Sequence, residues 1–209
     1  MEVVPAPAAA SAPASRRAEH ALDTRESLVA AARVLFAERG YAATPIDEIV
    51  RSARVTKGAL YHHFADKREL FKAVCRAVQH GWVERIREEV SDEPDAGRRL
   101  QLGLDAFLES CLDPETQQIV MLDGPAVLGP EELHAVDERH GLAMIEETLA
   151  DAMASGDLDR APIRPLSHIL LGALNAAAIA IARAPDHEAA RAEMGVALER
   201  LVNGLRQRG

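Results

Sequence analysis

The sequence predicts an all-α protein of about nine helices. Apolar residues recur at intervals of three and four along nearly the whole chain, whereas the alternation typical of a strand is nowhere sustained. Capping residues and Gly-Pro pairs separate these periodic segments at positions where helices are expected to begin and end. With 209 residues, 48% of them hydrophobic, the chain is long enough for one or two domains with a buried core.

The composition excludes several protein classes. Two cysteines, Cys75 and Cys111, are too few for a disulfide framework and indicate buried thiols in a reducing cytoplasm. Residues 1–19 are rich in Ala and Pro, lack the pattern of a signal peptide and are expected to form a disordered tail. The longest nearly apolar run, Ile169–Ala182, has 14 residues, whereas a membrane span requires about 20. We therefore expect a cytoplasmic protein with no membrane partner.

The net charge of −9 conceals an uneven distribution. Residues 16–80 carry 12 Lys and Arg against 8 Asp and Glu, whereas residues 81–209 carry 12 against 24. Within 51–76, seven basic residues stand against two acidic ones. Attraction to phosphate depends on the local field within about 8 Å at physiological salt rather than on the net charge. The basic segment fits either a nucleic-acid contact or an ordinary solvated helix face.

Start and stop signals divide the first part of the chain into helices. The first helix is predicted to begin at Asp23 or Thr24, either of which can cap it, and to end before Gly40. Thr44 is predicted to cap a short second helix, with Pro45 at its first helical position.

The third and fourth helices follow after a tight connection. Thr56 is predicted to cap a third helix, Lys57 to about His63, and Asp66 with Glu69 opens a longer fourth one. The apolar stripe of the fourth helix comprises Leu70, Phe71, Val74, Val78, Trp82 and Ile86. Two short helices joined by a tight turn between longer ones have the plan of a helix-turn-helix, expected here at about residues 45–64.

A helical wheel separates the two faces of the third helix. At about 100° per residue, Leu60 and Phe64 point to one side and His62 points almost to the opposite side. The outward face is completed by two small residues and by a cation and a phenol at one shoulder: Gly58, Ala59, Lys57 and Tyr61. Small side chains allow a helix to lie deep in a major groove about 12 Å wide, where His62 can contact base edges or phosphate. This face predicts double-stranded DNA as a partner.

Several segments resemble the TetR family of transcriptional regulators, and they occur in that family's order. They are Thr24-Arg25, Ala31-Ala32, Leu35-Phe36, Gly40-Tyr41, residues 44–49, residues 55–64 and residues 66–70. The resemblance covers about residues 20–80 and implies a DNA-binding domain there, followed by a helical ligand-binding and dimerisation domain over 81–209. It implies phosphate contacts by Thr44, Thr56, Tyr61 and Lys67, and groove-facing positions for Lys57, Ala59 and His62. On the helical wheel Gly58 lies on the same face as these three residues.

One residue departs from the family pattern. The turn between the two short helices commonly carries Gly before the Val, and here that residue is Arg54. A residue other than Gly in a left-handed turn costs on the order of 1 kcal/mol. Either this turn has other dihedral angles or the strain is accepted, with or without a phosphate contact that offsets it. We expect Arg54 to be tolerated, with a phosphate contact as the lesser alternative.

The helical period continues beyond residue 80, with breaks expected at Gly124-Pro125, at Gly129-Pro130 and over Ser155–Pro165. The last two helices, about 165–183 and 186–206, are apolar on several sides and resemble the family's paired dimerisation helices. They predict a homodimer whose symmetry matches a palindromic operator. Packing within one chain is the alternative.

The resemblance also implies an effector cavity among the middle helices. Candidate lining residues are Trp82, Phe107, Cys111, Met121, Met144 and Asn175, with ordinary core packing as the alternative reading. The acidic composition of residues 81–209 argues against a polyanionic effector. We therefore expect a small apolar effector.

These observations predict a ligand-responsive DNA-binding regulator, most commonly a repressor in this family, with an activator carrying the same DNA-binding domain as the alternative. A helical metal-binding enzyme is a more distant alternative, since His134 with Glu138 and Asp137 with His140 have the spacing of a mixed metal site. The sequence contains no Gly-rich phosphate loop and no nucleophile elbow. We expect no enzymatic activity, no cofactor and no metal.

Overall fold

A computed structural model describes residues 13–129, 132, 133 and 141–205, with side chains from residue 21 onward. Within these ranges the secondary structure is helical and no strand occurs, as the sequence predicts. The elements are α1 (Pro13–Arg39), α2 (Ile46–Ser52), α3 (Lys57–His63), α4 (Lys67–Val90), α5 (Ala96–Ser110), α6 (Pro114–Thr116), a π-helix (Gln117–Asp123), α7 (Gly124–Leu128), α8 (Ala143–Ser155), α9 (Ile163–Arg183) and α10 (His187–Asn203).

The start of α1 differs from the expectation. The helix begins at Pro13 rather than at Asp23 or Thr24, so residues 13–19 are helical and not part of a disordered tail; residues 1–12 lie outside the described part of the chain. The carbonyl of Asp23 accepts a hydrogen bond from the Ser27 hydroxyl at 2.8 Å, as in a helix interior. Asp and Thr reduce helix stability there by less than about 0.7 kcal/mol each, which is too little to end a helix. The predicted end is confirmed, since Gly40 follows with a φ of 76°.

The N-terminal core forms around α1, α3 and α4. Phe36 and Phe71 lie edge to face with ring centroids 5.2 Å apart, and Leu60 is completely buried beside them. Three residues from much later in the chain complete this core: Ile119, Val120 and Leu128. The first domain therefore shares its interior with the π-helix and α7.

Polar contacts reinforce the same junction. Arg33 of α1 pairs with Glu115 through two hydrogen bonds, one of 2.7 Å from its Nε. The backbone N–H of Tyr41 donates to Asp123 at 2.7 Å. Arg68 and Lys72, both on α4, pair with Glu132, and these two pairings hold the pKa of the Glu132 carboxyl below its ordinary value. The segment from α6 to α7, together with Glu132, thus ties the later part of the chain to the N-terminal core.

The predicted break at Gly124-Pro125 is wrong. Pro125 lies in the first turn of α7, where its missing N–H breaks no helical hydrogen bond, and the chain stays helical from Pro114 to Leu128. Gly129, with a φ of 81°, ends this segment as predicted. The sequence also predicts a helix after Pro130, with an apolar stripe formed by Leu133, Val136, His140, Met144, Ile145, Leu149 and Met153. It corresponds to α8, although Val136 and His140 lie outside the described residues.

Helix α9 lies centrally in the C-terminal core. By length and composition alone it could cross a membrane, but Leu170, Leu174 and Ile181 on one face pack against buried residues of α5, α8 and α10. The ends of α9 and α10 lie within three residues of the predicted ones over the described part of the chain.

Candidate nucleic-acid interface and internal cavity

Helix α3 has the start, the end and the buried face that the sequence predicts. The Thr56 hydroxyl oxygen accepts a hydrogen bond from the N–H of Ala59 at 3.1 Å and so caps the helix. Leu60 is completely buried and Phe64 retains 5% of its exposure, so both fix α3 to the N-terminal core. The cap and the apolar pair together hold the opposite face of α3 toward solvent.

That opposite face is open. Thr56, Lys57, Gly58 and His62 are exposed, and Ala59 is half-buried. Tyr61 is 48% exposed, with its ring at the shoulder of the face rather than in the core. A Cβ placed on Gly58 would meet no heavy atom closer than the Thr56 hydroxyl, at 3.8 Å. The face therefore has small side chains in the middle and polar ones at its edges, which suits close approach to base pairs.

Lys57 forms an ion pair across the two short helices. Its Nζ lies 2.8 Å from Oδ1 of Asp47 on α2, and both side chains are more than half exposed. The hydrogen bond to Asp47 raises the pKa of the Lys57 ammonium above its ordinary value. Exposed pairs of this kind exchange readily, so a DNA phosphate can take the place of the Asp47 carboxylate.

The turn between α2 and α3 confirms the left-handed conformation at Arg54. Its φ is 56°, and it is the one residue other than glycine with a positive φ in the described part of the chain. The N–H of Arg54 donates to Arg51 and the N–H of Val55 donates to Val50, at 3.2 and 3.0 Å. These two bonds are those of a Schellman ending, which usually has glycine at this position. These bonds exclude the alternative that the turn has other dihedral angles. The exposed guanidinium of Arg54 makes no ion pair with a described residue.

Replacing Arg54 with glycine is expected to raise the free energy of unfolding by about 0.5–1 kcal/mol, because relief of the left-handed strain exceeds the added entropy of the unfolded chain. Chemical denaturation measures this change. Arg51→Gly is the control: Arg51 is exposed in the last turn of α2, so glycine there should lower stability. Equal losses in both variants would contradict the strain at Arg54.

Thr44 does not play its predicted role. Pro45, not Thr44, precedes the first residue of α2, and Thr44 is completely buried. Its hydroxyl donates to the carbonyls of Gly40 at 2.8 Å and Leu35 at 3.2 Å. This side chain therefore bonds to the end of α1 instead of capping α2, and its contact with phosphate stays a prediction.

Lys67 is also engaged within the protein. Its ammonium donates to the carbonyl of Tyr41 and lies 4.2 Å from the centroid of the Tyr41 ring. Burial lowers the pKa of Lys67 below its ordinary value. Its contact with phosphate stays a prediction, and one that would require the side chain to leave the Tyr41 ring.

A cavity of 180 Å³ lies between α4, α5, α8 and α9. Four of the six predicted residues line it: Trp82, Phe107, Met144 and Asn175. Cys111 and Met121 do not. Both are packed in the C-terminal core, and burial raises the pKa of the Cys111 thiol to about 12, so this thiol stays protonated.

Apart from Asn175, sequence reasoning missed the polar residues of the lining. Arg76, Gln79, Arg99 and Thr148 all contribute to the cavity wall. Gln79 precedes Trp82 by three residues on α4, and Arg99 precedes Gly103 by four on α5, so helical spacing could have placed them on the same faces.

The last two helices each expose large apolar side chains. Ile169 on α9 is 70% exposed, and Val196 and Leu201 on α10 are 50% and 60% exposed. Gly172, one turn after Ile169, is also open, because a Cβ there would meet nothing within 4 Å. Large apolar side chains with this exposure are typical of a surface that a partner covers.

The metal-binding alternative finds no support in the described ranges, where no group of three His, Cys, Asp or Glu side chains could hold an ion. The pairs His134 with Glu138 and Asp137 with His140 lie outside those ranges.

Comparison with known proteins identifies both halves of the chain. A family model described as bacterial regulatory proteins, tetR family, matches residues 28–74, and one described as tetracyclin repressor-like, C-terminal domain, matches residues 98–205. The transposon Tn10 TetC protein of Escherichia coli is 34% identical over 118 residues, covering 56% of this chain and 59% of that protein. The HTH-type transcriptional repressor BepR of Brucella suis biovar 1 is 33% identical over 106 residues, covering 50% of this chain and 51% of the repressor.

The chain spans about half the length of the curated relatives it matches. One solved structure matches nearly throughout: a TetR-family transcriptional regulator from Pectobacterium atrosepticum has a TM-score of 0.81 and 34% identity, covering 91% of this chain and 97% of that one. Since the C-terminal family model alone covers more than half of the sequence, the chain belongs to the TetR family.

Proposed function

We propose that this protein is an effector-responsive transcriptional repressor that binds a palindromic operator as a homodimer in the cytoplasm. The observation that carries the proposal is the exposed face of α3, where Gly58 and His62 lie opposite the buried Leu60. A short helix held by its apolar side and open on its small, polar side can enter a major groove. Repression is supported by the relative BepR, which is described as a repressor.

The dimer is proposed through α9 and α10. The exposed side chains Ile169 of α9 and Leu201 of α10 would be covered by the same two helices of a second copy. A two-fold axis there would present two α3 helices to successive major grooves, about 34–36 Å apart or a multiple of it. We place the domain division near residue 80, with the DNA-binding domain before it and the regulatory domain after it.

The cavity of 180 Å³ is proposed as the effector site. It borders α4, which also carries Phe71 and Cys75 of the N-terminal core. An effector changes operator binding only if it binds one arrangement of the two α3 helices more tightly than the other. Helix α4 is the element that contacts both the cavity and the DNA-binding domain, so we assign the coupling to it.

The function is tested by selecting bound duplexes from a random DNA library with the full chain. We expect enrichment of a palindrome with half-sites about one helical turn apart. A reporter carrying this palindrome between promoter and gene should lose expression when the protein is present. Failure to enrich any sequence would refute the DNA-binding proposal, and increased expression would replace repression by activation.

Lys57→Ala and His62→Ala should each weaken binding to the selected operator by about tenfold, which is the value of one good polar contact. Both side chains are exposed, so the unfolding temperature should stay near wild type. Fluorescence anisotropy measures affinity, and the salt slope should fall by about one for Lys57→Ala if this residue contacts phosphate. Equal losses of stability and affinity would show that these side chains are structural.

A further inference from the structure

We propose that the effector cavity binds a monocyclic aromatic carboxylate. This proposal rests on the cavity being the effector site, and it adds the chemical class of the ligand. Four properties of the lining carry it: the volume, the aromatic wall, the sign of the charge and two buried donors without a described acceptor.

The volume accommodates about one ring. A cavity of about 150 Å³ lined by apolar side chains is known to accommodate benzene. The cavity in this protein has 180 Å³, which leaves room for one ring and a short substituent. A fused tricyclic ring system would need the walls to separate.

The wall favours a flat apolar body. Trp82 and Phe107 lie with their ring centroids 5.3 Å apart and tilted by 40°, and both line the cavity. Leu104 and Leu174 line it as well, from α5 and α9. An aromatic ring placed among these side chains can make offset or edge contacts in addition to the burial of its surface.

The charged part of the lining is positive. Arg76 and Arg99 line the cavity, and no Asp or Glu does so among the described residues. Arg76 is exposed and makes no ion pair within the described ranges, so no described carboxylate neutralises its charge. Arg99 donates a hydrogen bond from Nη2 to the exposed carboxylate of Asp151, at a distance of 3.1 Å.

Two buried donors on lining residues have no acceptor among the described residues. They are Nε of Arg99 and Nε1 of Trp82. Buried donors are nearly always paired in native proteins, so two unpaired ones beside a single cavity indicate that an acceptor group belongs there. Both nitrogens are covered by neighbouring atoms, so pairing with a ligand oxygen requires a side-chain movement. A carboxylate accepts hydrogen bonds from both kinds of donor.

The test measures binding of benzoate and of benzamide to the full chain by isothermal titration calorimetry at pH 7.5. The two probes have nearly the same shape and differ in charge. We expect benzoate to bind at least about tenfold more tightly, as charged hydrogen bonds to arginine imply. Equal affinity, or tighter binding of benzamide, would overturn the assignment of an anionic ligand, as would no binding of either probe.

Variants locate the carboxylate. Arg99→Met should reduce the benzoate affinity at least about tenfold and leave the benzamide affinity unchanged. Because this variant also loses the Asp151 pair, Asp151→Asn serves as the matched control: it removes the same pair but keeps the guanidinium, and should retain benzoate binding. Loss of benzoate binding in Asp151→Asn but not in Arg99→Met would overturn the assignment.

A larger probe tests the size of the ligand. Anthracene-9-carboxylate should not bind, and tight binding of it would overturn the assignment of a single ring.

The two proposals fail separately. If the protein binds its selected operator but none of the probes, the function stands and the ligand class is wrong. If benzoate binds as expected but no operator can be selected, the ligand class stands and the regulatory function is wrong.

Discussion

Replacement of Ile169 by aspartate is expected to convert the protein from a dimer to a monomer and to remove tight operator binding. Ile169 is the most exposed large apolar side chain of α9, and Gly172 lies on the same open face. In a two-fold interface the carboxylate would be buried beside its own copy. Transfer of one unpaired charge from water into protein costs several kcal/mol, so two of them outweigh the burial of a small apolar face.

The consequence for DNA binding follows from linkage of the two half-sites. A monomer contacts one half-site and loses the effective concentration that its partner provides, so the operator affinity should fall by about 10²- to 10⁴-fold. Sedimentation velocity measures the oligomeric state and fluorescence anisotropy the affinity. Val34→Asp, at a side chain of α1 that is 55% exposed, is the matched control and should change neither. A dimer that persists in Ile169→Asp would exclude this face as the interface.

The elements that sequence predicted well are those set by neighbours within one helical turn. Thr56 caps α3 through the N–H three residues later, and Asp66 caps α4 in the same way, at 2.8 Å from the N–H of Glu69. The burial of Leu60 and Phe64 follows from a spacing of four residues. Contacts with distant residues do not compete with these local interactions, so the exposed face of α3 was predictable before the fold was known.

Thr44 shows where local reasoning fails. A threonine before proline and an acidic residue has the pattern of a helix cap, but a hydroxyl can also donate backward to the preceding helix. Here it bonds to carbonyls four and nine residues earlier, and burial of the whole side chain decides between the two roles. That burial depends on how α1 packs, which the spacing of residues 44–47 does not contain.

The cavity shows a different limit. Periodicity places Trp82, Phe107 and Cys111 on apolar stripes, but a stripe packs equally well against a core or around a void. In the folded chain Trp82 and Phe107 line the cavity, whereas Cys111 is packed in the core. Arg99 was missed because charged side chains are assigned to solvent by default, and only the packed structure places it in the wall.

The shared interior of the two domains was equally hidden. Ile119, Val120 and Leu128 belong by sequence to the regulatory domain, yet they complete the core that positions α3. The Asp123 carboxylate, which accepts from the N–H of Tyr41, belongs to the same segment. Through these contacts, and through α4, the two domains are packed against each other.

Gly58→Leu is expected to abolish specific operator binding while raising the stability of the protein. Gly58 lies in the first turn of α3 on its exposed face, and the space around it is open to a Cβ. Glycine is about 0.8–1.0 kcal/mol less favourable in a helix than alanine. Replacing Gly58 with a residue that favours helix, such as leucine, should therefore increase the free energy of unfolding. In the proposed complex the same position would face the base pairs, and a leucine side chain there would hold α3 away from the groove floor. The affinity should then fall by about 10³-fold or more, to the level of non-specific binding.

Gly58→Ala provides the graded control, because it adds a single methyl group with the same gain in helix propensity. It should be as stable as Gly58→Leu and should keep a substantial part of the operator affinity. Thermal unfolding and anisotropy on the same samples separate the two effects, since stability and affinity move in opposite directions only if this face is a contact surface. A Gly58→Leu protein with wild-type affinity would mean that the exposed side of α3 does not meet DNA, and the regulator proposal would have to be abandoned.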